Sequence, residues 1–314
     1  MKKIFFIFIL FTVLSGFLPG IVWACDSCGC MLSQCADHTQ QRDQNVFFNF
    51  TFEQQQWDVK DAREAHNLHH AGREFHDKTH EEFYHFTFGV NPTDKITLLS
   101  DIPYVVRGSL DIEHHATIGR KQSSEGLGDM NLIGIYKILV KNDDFLGISG
   151  GVKFPTGDTG ELDPYGALFE PELQPGSGSW DYPVGIVYRY MAGPVSLSGN
   201  VSYVIKSQGA QEFRHGNLLF ASLNADYILN PRSENFQTRV GWDTTFHNAQ
   251  KDRLNGVEDD DSGETSVFMG PSIEIGASKN VSLFGNILLP VYQNTGGVHQ
   301  KLSYLWTAGA KVNW

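Results

Sequence analysis

Four thiols and a run of imidazoles carry the most reactive chemistry in this sequence. Cys25-x2-Cys28-x-Cys30-x4-Cys35 places all four cysteines within eleven residues. Soft thiolates at such spacing can hold zinc or copper(I). In an oxidising compartment the same residues can instead form two disulfides, in any of three pairings. No Cys-x-x-Cys-His is present, so covalent c-type haem is not indicated. Downstream, segment 58–81 carries His66, His69, His70, His76 and His80, and His85 follows just inside the next strand. The 66/69/70 and 76/80 spacings would share a face if the loop were helical, and neutral imidazoles so grouped can bind zinc, copper or nickel. His114 and His115, in the neighbouring loop, could join them. The alternative is a hydrophilic surface loop that becomes positively charged at low pH. His38, His215 and His299 are isolated and read as solvated. Glu258-Asp259-Asp260-Asp261 with Glu264 offers oxygen ligands that suit calcium weakly, but the spacing is not that of an EF-hand, and a solvated acidic loop accounts for it better.

Whatever positions these groups must first be exported. Lys2-Lys3, an apolar run from Ile4 to about Phe17, and Val22-Trp23-Ala24 ahead of Cys25 form a secretory signal, with Val at −3 and Ala at −1 of the cleavage site. Residues 1–24 are therefore expected to be a signal peptide, and 25–44 a cysteine-bearing periplasmic segment. Cleavage would leave Cys25 first, which raises acylation, although Trp23 stands where a lipobox wants a small residue. The chain carries a net charge of −12; losing Lys2 and Lys3 and no acid brings it to −14. Such acidity disfavours nucleic acid as a partner. No later apolar run is long enough for a spanning helix.

From Asn45 onward the chain falls into apolar-alternating segments suited to tilted membrane strands of roughly 9–11 residues. Twelve are expected: about 45–57, 82–91, 95–106, 128–139, 145–155, 181–191, 195–206, 217–229, 236–247, 266–276, 280–291 and 302–314. Alternation is clearest late. Phe236, Thr238, Val240, Trp242, Thr244 and Phe246 oppose Gln237, Arg239, Gly241, Asp243, Thr245 and His247. The third and eleventh segments are apolar on both sides. Period-2 alternation alone fits a sandwich or a barrel. Loop lengths separate them: connections after even segments are short (Asn91-Pro92-Thr93-Asp94, Lys141-Asn142-Asp143-Asp144, Ala192-Gly193-Pro194), and those after odd segments are mostly long. An even strand count with alternating short and long connections is the outer-membrane pattern, and a strand in lipid must pair all its backbone groups, so the sheet must close.

The expected fold is thus all-β: a transmembrane, antiparallel, up-and-down β-barrel of about twelve strands over 45–314, with short periplasmic turns and long outer loops. Both termini would be periplasmic, and the outer-membrane lipid would be its surroundings. Alternation points Glu53, His85, Lys137, Lys153, Arg189, Lys206, Asp226, Arg239, Asp243, His247, Glu274 and Lys311 into the lumen as channel-lining residues. Twelve strands suit a narrow conduit for small solutes or an interior crossed by ion pairs. Trp57 and Trp180 are expected at the outer aromatic girdle and Trp314 at the inner one. In the closing strand Thr307, Gly309, Val312 and Trp314 match the pattern of the signal read by the barrel assembly machinery.

Gly126-Leu127-Gly128-Asp129-Met130, Val152-Lys153-Phe154-Pro155-Thr156-Gly157-Asp158-Thr159 and Leu173-Gln174-Pro175-Gly176-Ser177-Gly178-Ser179-Trp180-Asp181 together resemble the family of outer-membrane proteins named for the MetA pathway of phenol degradation. The resemblance covers about 45–314. It implies a transporter-like barrel, a channel for small solutes including hydrophobic or aromatic compounds, and no catalytic residues. The same motifs also read structurally, as prolines that end strand pairing and glycines that let long loops fold onto the barrel mouth. The cysteine prefix and the histidine-rich loop lie outside the resemblance. They leave open a second reading, a metal-binding or redox-partner barrel using zinc or copper. No Ser/His/Asp motif stands out, so an enzyme is not indicated; an outer-membrane hydrolase would need a serine and a histidine within hydrogen-bond reach.

Overall fold

The computed structural model describes residues 45–58, 78–111, 120–231, 236–296 and 300–314. The strands are β1 (Val46–Asp58), β2 (Lys78–Thr93), β3 (Ile96–Asp111), β4 (Arg120–Leu127), β5 (Met130–Lys141), β6 (Asp144–Phe154), β7 (Tyr182–Ala192), β8 (Val195–Ile205), β9 (Phe213–Arg214), β10 (Leu218–Ile228), β11 (Thr238–Ala249), β12 (Arg253–Leu254), β13 (Val257–Glu258), β14 (Glu264–Gly276), β15 (Val281–Thr295) and β16 (Lys301–Asn313). Thirteen of them form one antiparallel sheet. β4 and β5 occupy a single lane, because β4 pairs with the half of β3 at the barrel end away from the chain termini, here the outer end, and β5 with the half at the termini end, here the inner end. The sheet is therefore a closed barrel of twelve lanes. It is sealed where β1 meets β16 in register from Phe47↔Asn313 to Asp58↔Lys301. The short strands β9, β12 and β13 form a separate small sheet in the outer loops.

The alternation has its physical cause on the two faces. Outward positions are large and apolar: Phe86 and Phe88 on β2, Leu98 on β3, Val184 and Ile186 on β7, Trp242 on β11 and Leu283 on β15 are all exposed. Such a belt is stable only against lipid, since exposed apolar area in water costs roughly 25 cal/mol per Å². Inward positions are polar and buried, among them Asn49, Thr51, Glu53 and Gln55 of β1 and Ser196, Ser198, Asn200 and Ser202 of β8. At the closing strand, the ring of Phe284 lies over Gly309, where a Cβ would sit 2.4 Å from its Cζ. The glycine there receives a cross-strand aromatic.

Some expectations are corrected. The fourth lane begins at Arg120, and its outer part is interrupted at Gly128-Asp129. Trp57 is not a girdle residue: it is 6% exposed, points inward, and donates from Nε1 to Glu81 Oε2 at 3.0 Å. Strand parity explains it, since Trp57 shares the inner face with Glu53 and Gln55. Trp180 and Trp314 are exposed. Residues 1–44 lie outside the described residues, and with them the signal peptide, Cys25, Cys28, Cys30, Cys35 and His38. So do His66, His69, His70, His76, His114, His115 and His299.

Candidate functional site

The interior is built from apolar zones at opposite ends of the inner face. At the inner end, Phe47, Leu99, Ile133, Ile135, Phe145 and Val187 pack together from β1, β3, β5, β6 and β7. At the outer end, Trp57, Phe268, Leu288, Leu302 and Leu305 form a second cluster, and Val204, Leu218, Phe220 and Ala249 a third. The imidazole of His247 bridges these two edge-on, 4.9 Å from the Phe220 ring and 5.5 Å from that of Phe268.

A polar belt runs between the zones. Ser198, Asn224 and Asp243 are successive cross-strand partners, and Arg189 pairs with Ser198 at the inner end. Ser272, Asn286, Thr307 and Glu53 continue it across the seam. Ser272 Oγ donates to Asp243 Oδ1 at 2.9 Å, Asn286 Nδ2 to Asp243 Oδ2 at 2.7 Å, and Thr307 Oγ1 to Asn286 Oδ1 at 2.6 Å. A cavity of about 120 Å³ opens on this belt. Of the twelve residues read from the sequence as lining, Glu53, Asp226, Arg239, Asp243, His247, Glu274 and Lys311 border that one cavity. Arg239 faces Glu274 at 3.7 Å.

The other five lie elsewhere on the inner face. His85 Nδ1 is 2.9 Å from Asp101 Oδ2, and Thr87 Oγ1 donates to the other oxygen at 3.0 Å. Lys137 lies over the Phe145 ring, 5.5 Å from its centroid, and Arg189 donates to Met191 Sδ at 3.4 Å, both at the inner end. Lys153 and Lys206 belong to the mouth.

At the mouth the three sequence motifs meet. Lys153 Nζ lies 2.7 Å from Asp181 Oδ2 and 3.1 Å from Asp129 Oδ2, and donates to Ser177 Oγ at 2.6 Å. Lys206 Nζ is 3.4 Å from Asp181 Oδ2. Asp129 also accepts the Gly157 N–H at 3.0 Å and the Ser177 N–H at 2.9 Å. The backbones of Gly157 and Gly176 touch so closely that a Cβ on Gly176 would sit 2.4 Å from Gly157 C. Segment 155–181 is thereby folded inward. Phe169, Leu173 and Gln174 are buried, with the Gln174 amide satisfied by Glu161 and Phe169 carbonyls at 3.0 Å. Arg107 pins its carbonyl from the barrel wall while pairing with Glu81 at 2.9 Å. Asp101, Asp129, Asp181, Glu81 and Arg107 were not singled out from the sequence. For Asp129 and Asp181 the signal was present, as both lie in the motifs.

In the outer loops, Asp252 accepts the Gly216 N–H at 2.6 Å, and burial pushes its carboxyl up to about 7. His215, read as solvated, is instead largely enclosed, 3.9 Å from Asp252 Oδ1; burial first, and Lys206 second, hold it well below the usual imidazole range. The acidic run disperses: Glu258 pairs with Arg253 at 2.7 Å, Asp260 pairs with Lys251 at 2.5 Å, and Glu264 is buried. His80 lies 2.9 Å from Glu82 Oε1 and 3.4 Å from the Gln54 amide. Among the described residues no group of three or more Cys, His, Asp or Glu side chains could hold a metal ion, and no serine is hydrogen-bonded to a histidine.

No protein-family model and no curated protein matches the sequence. Solved structures share the fold. The COG4313 outer membrane channel from Pseudomonas putida F1 superposes with a TM-score of 0.61 at 15% identity, over 88% of this chain and 98% of that one. The chain has the fold of an outer-membrane β-barrel. A second likeness, to the translocator domain of the autotransporter NalP from Neisseria meningitidis, has a TM-score of 0.50 at 7% identity, over 91% of this chain and 95% of that one. At these identities fold alone is shared, and it agrees with the twelve-lane topology and the lipid-facing belt.

Proposed function

We propose that the protein is an outer-membrane channel for small solutes with substantial apolar surface. The observation that carries this reading is the interior itself. A water-filled pore would be polar throughout, whereas here buried Phe, Leu, Ile and Trp side chains line two stretches of the inner face. An apolar solute gains about 0.8 kcal/mol per methylene that such a wall takes out of water. The polar belt between the zones lets a solute pass without settling permanently on either. The motif resemblance to the MetA-pathway family and the fold shared with the COG4313 channel point the same way. In this reading residues 1–24 direct export, both termini face the periplasm, and segment 155–181 covers the outer mouth.

The test is solute flux through purified protein in liposomes, comparing toluene-sized aromatic compounds with sugars of equal volume. Faster entry of the aromatic compounds than in protein-free vesicles is expected, together with slower entry after Phe220→Ser and Leu305→Ser. Equal rates with and without protein would overturn the proposal.

A further inference from the structure

One carboxylate on the polar belt has no counter-charge. Asp243 is 6% exposed, and its two oxygens accept only from neutral donors, Ser272 Oγ at 2.9 Å and Asn286 Nδ2 at 2.7 Å. Two residues that line the same cavity each carry a buried oxygen with no hydrogen-bond partner, Asn224 Oδ1 and Thr245 Oγ1. Thr245 is itself only 8% exposed. The three belong together. Asn224 is the direct cross-strand partner of Asp243, and Thr245 is the next inward position along β11. Cross-strand partners stand about 5 Å apart and same-face neighbours about 7 Å apart. A buried carboxylate without a counter-charge and buried acceptors without donors are costly to leave so, and the site is incomplete as the chain alone builds it.

We propose that this cavity is a subsite for a small amphiphile bearing a primary ammonium group. The ammonium has three donors and no acceptor, which matches one carboxylate oxygen, one amide oxygen and one hydroxyl oxygen. Its apolar body would lie outward, against Phe220, Leu288 and Leu305, with the edge of His247 beside it. The formal charge of the lining favours the same sign: Glu53, Asp226, Asp243 and Glu274 outnumber Arg239 and Lys311. A carboxylate-bearing solute would meet Asp243 with like charge and find no free donor at Asn224 Oδ1. This inference rests on the proposed passage of apolar solutes and narrows it to a chemical class.

The experiment is equilibrium binding by calorimetry to the purified barrel in nonionic detergent, so that it does not depend on flux. Probes are benzylammonium, benzyltrimethylammonium, benzoate and potassium ion. Benzylammonium is expected to bind, and benzyltrimethylammonium, which lacks N–H donors, to bind several-fold more weakly. Benzoate and potassium ion should neither bind comparably nor compete. Asp243→Asn should weaken benzylammonium about tenfold or more, the loss of a charge-assisted hydrogen bond, and Thr245→Val by a few-fold. Folding of each variant is checked by the heat-modifiable migration of the barrel. Benzoate binding as tightly as benzylammonium, potassium ion displacing it at equal concentration, or Asp243→Asn and Thr245→Val both binding like the parent would overturn the proposal. If benzylammonium binds as expected while no solute crosses in liposomes, the subsite stands and the channel reading falls.

Discussion

Lys153→Met is the substitution on which the account of the mouth depends most. Lys153 is 1% exposed and joins Asp129 from the start of β5 to Asp181 from the end of the long loop. Removing one member of a buried ion pair costs about 3–5 kcal/mol, because the partner charge stays buried. The structure places this case at the lower end. Asp181 retains Lys206 at 3.4 Å, and Asp129 retains the Gly157 and Ser177 N–H donors. A loss of about 3 kcal/mol makes detachment of segment 155–181 roughly a hundredfold more frequent. The barrel ladder is untouched, so the damage is confined to the loop. Asp129→Asn keeps the Lys153–Asp181 contact and should cost clearly less. The assay is limited proteolysis of the folded protein, read alongside single-channel conductance. Lys153→Met should be cut within 158–173 far faster than the parent and should conduct more, with heat-modifiable migration unchanged. If the loop of Lys153→Met is as protected as in the parent, or if Asp129→Asn is cut faster than Lys153→Met, the ion pair does not hold the loop.

Other outcomes follow from the same contacts. Gly176→Ala should release the loop as well, since the added Cβ meets Gly157 backbone at 2.4 Å with no flexible atom to yield; its proteolysis rate should approach that of Lys153→Met. Asp252 has a folded pKa raised above its unfolded value, to about 7, by burial. The stability it contributes is fully present below about pH 4 and is lost as pH rises through about 7. Amide exchange at Gly216 should therefore be slower at pH 5 than at pH 9 after correction for intrinsic rates, and Asp252→Asn should remove the difference. Deleting Trp314 removes its two backbone hydrogen bonds with Val46, 3.0 and 3.1 Å long, and an exposed aromatic anchor. Membrane levels of that truncation, measured by immunoblot, should fall below those of any lumen variant.

The membrane-embedded part of the barrel was legible because lipid imposes a period of two on every lane. β1, expected over 45–57, runs Val46–Asp58, and the strands expected over 181–191 and 195–206 run Tyr182–Ala192 and Val195–Ile205. Where strands rise above the lipid the pattern stops. Arg120–Leu127 reads Arg-Lys-Gln-Ser-Ser-Glu-Gly-Leu, with no apolar face to betray a strand. Trp57 was misplaced by treating a tryptophan near a rim as an anchor instead of following parity from Glu53. Asp101 was missed because β3 is apolar on both sides, which hides which face is inner. The mouth ion pairs join residues 28 and 24 positions apart (Asp129, Lys153 and Asp181), and no local pattern announces that three motifs share one lysine.

The seam between β1 and β16 also sets an order of events. Trp306 Nε1 donates to Gln54 Oε1 at 2.6 Å and Ser303 Oγ to Asp58 Oδ2 at 2.7 Å, bonds that span 252 and 245 residues of chain. Neither can form until the last hairpin has been made. Until then the sheet has two open edges, each a row of unpaired amides and carbonyls ready to pair with any neighbour. Loop closure over such a distance is slow. Pairing across this one seam is what removes both edges, and with them the surface through which one copy could add to the sheet of another.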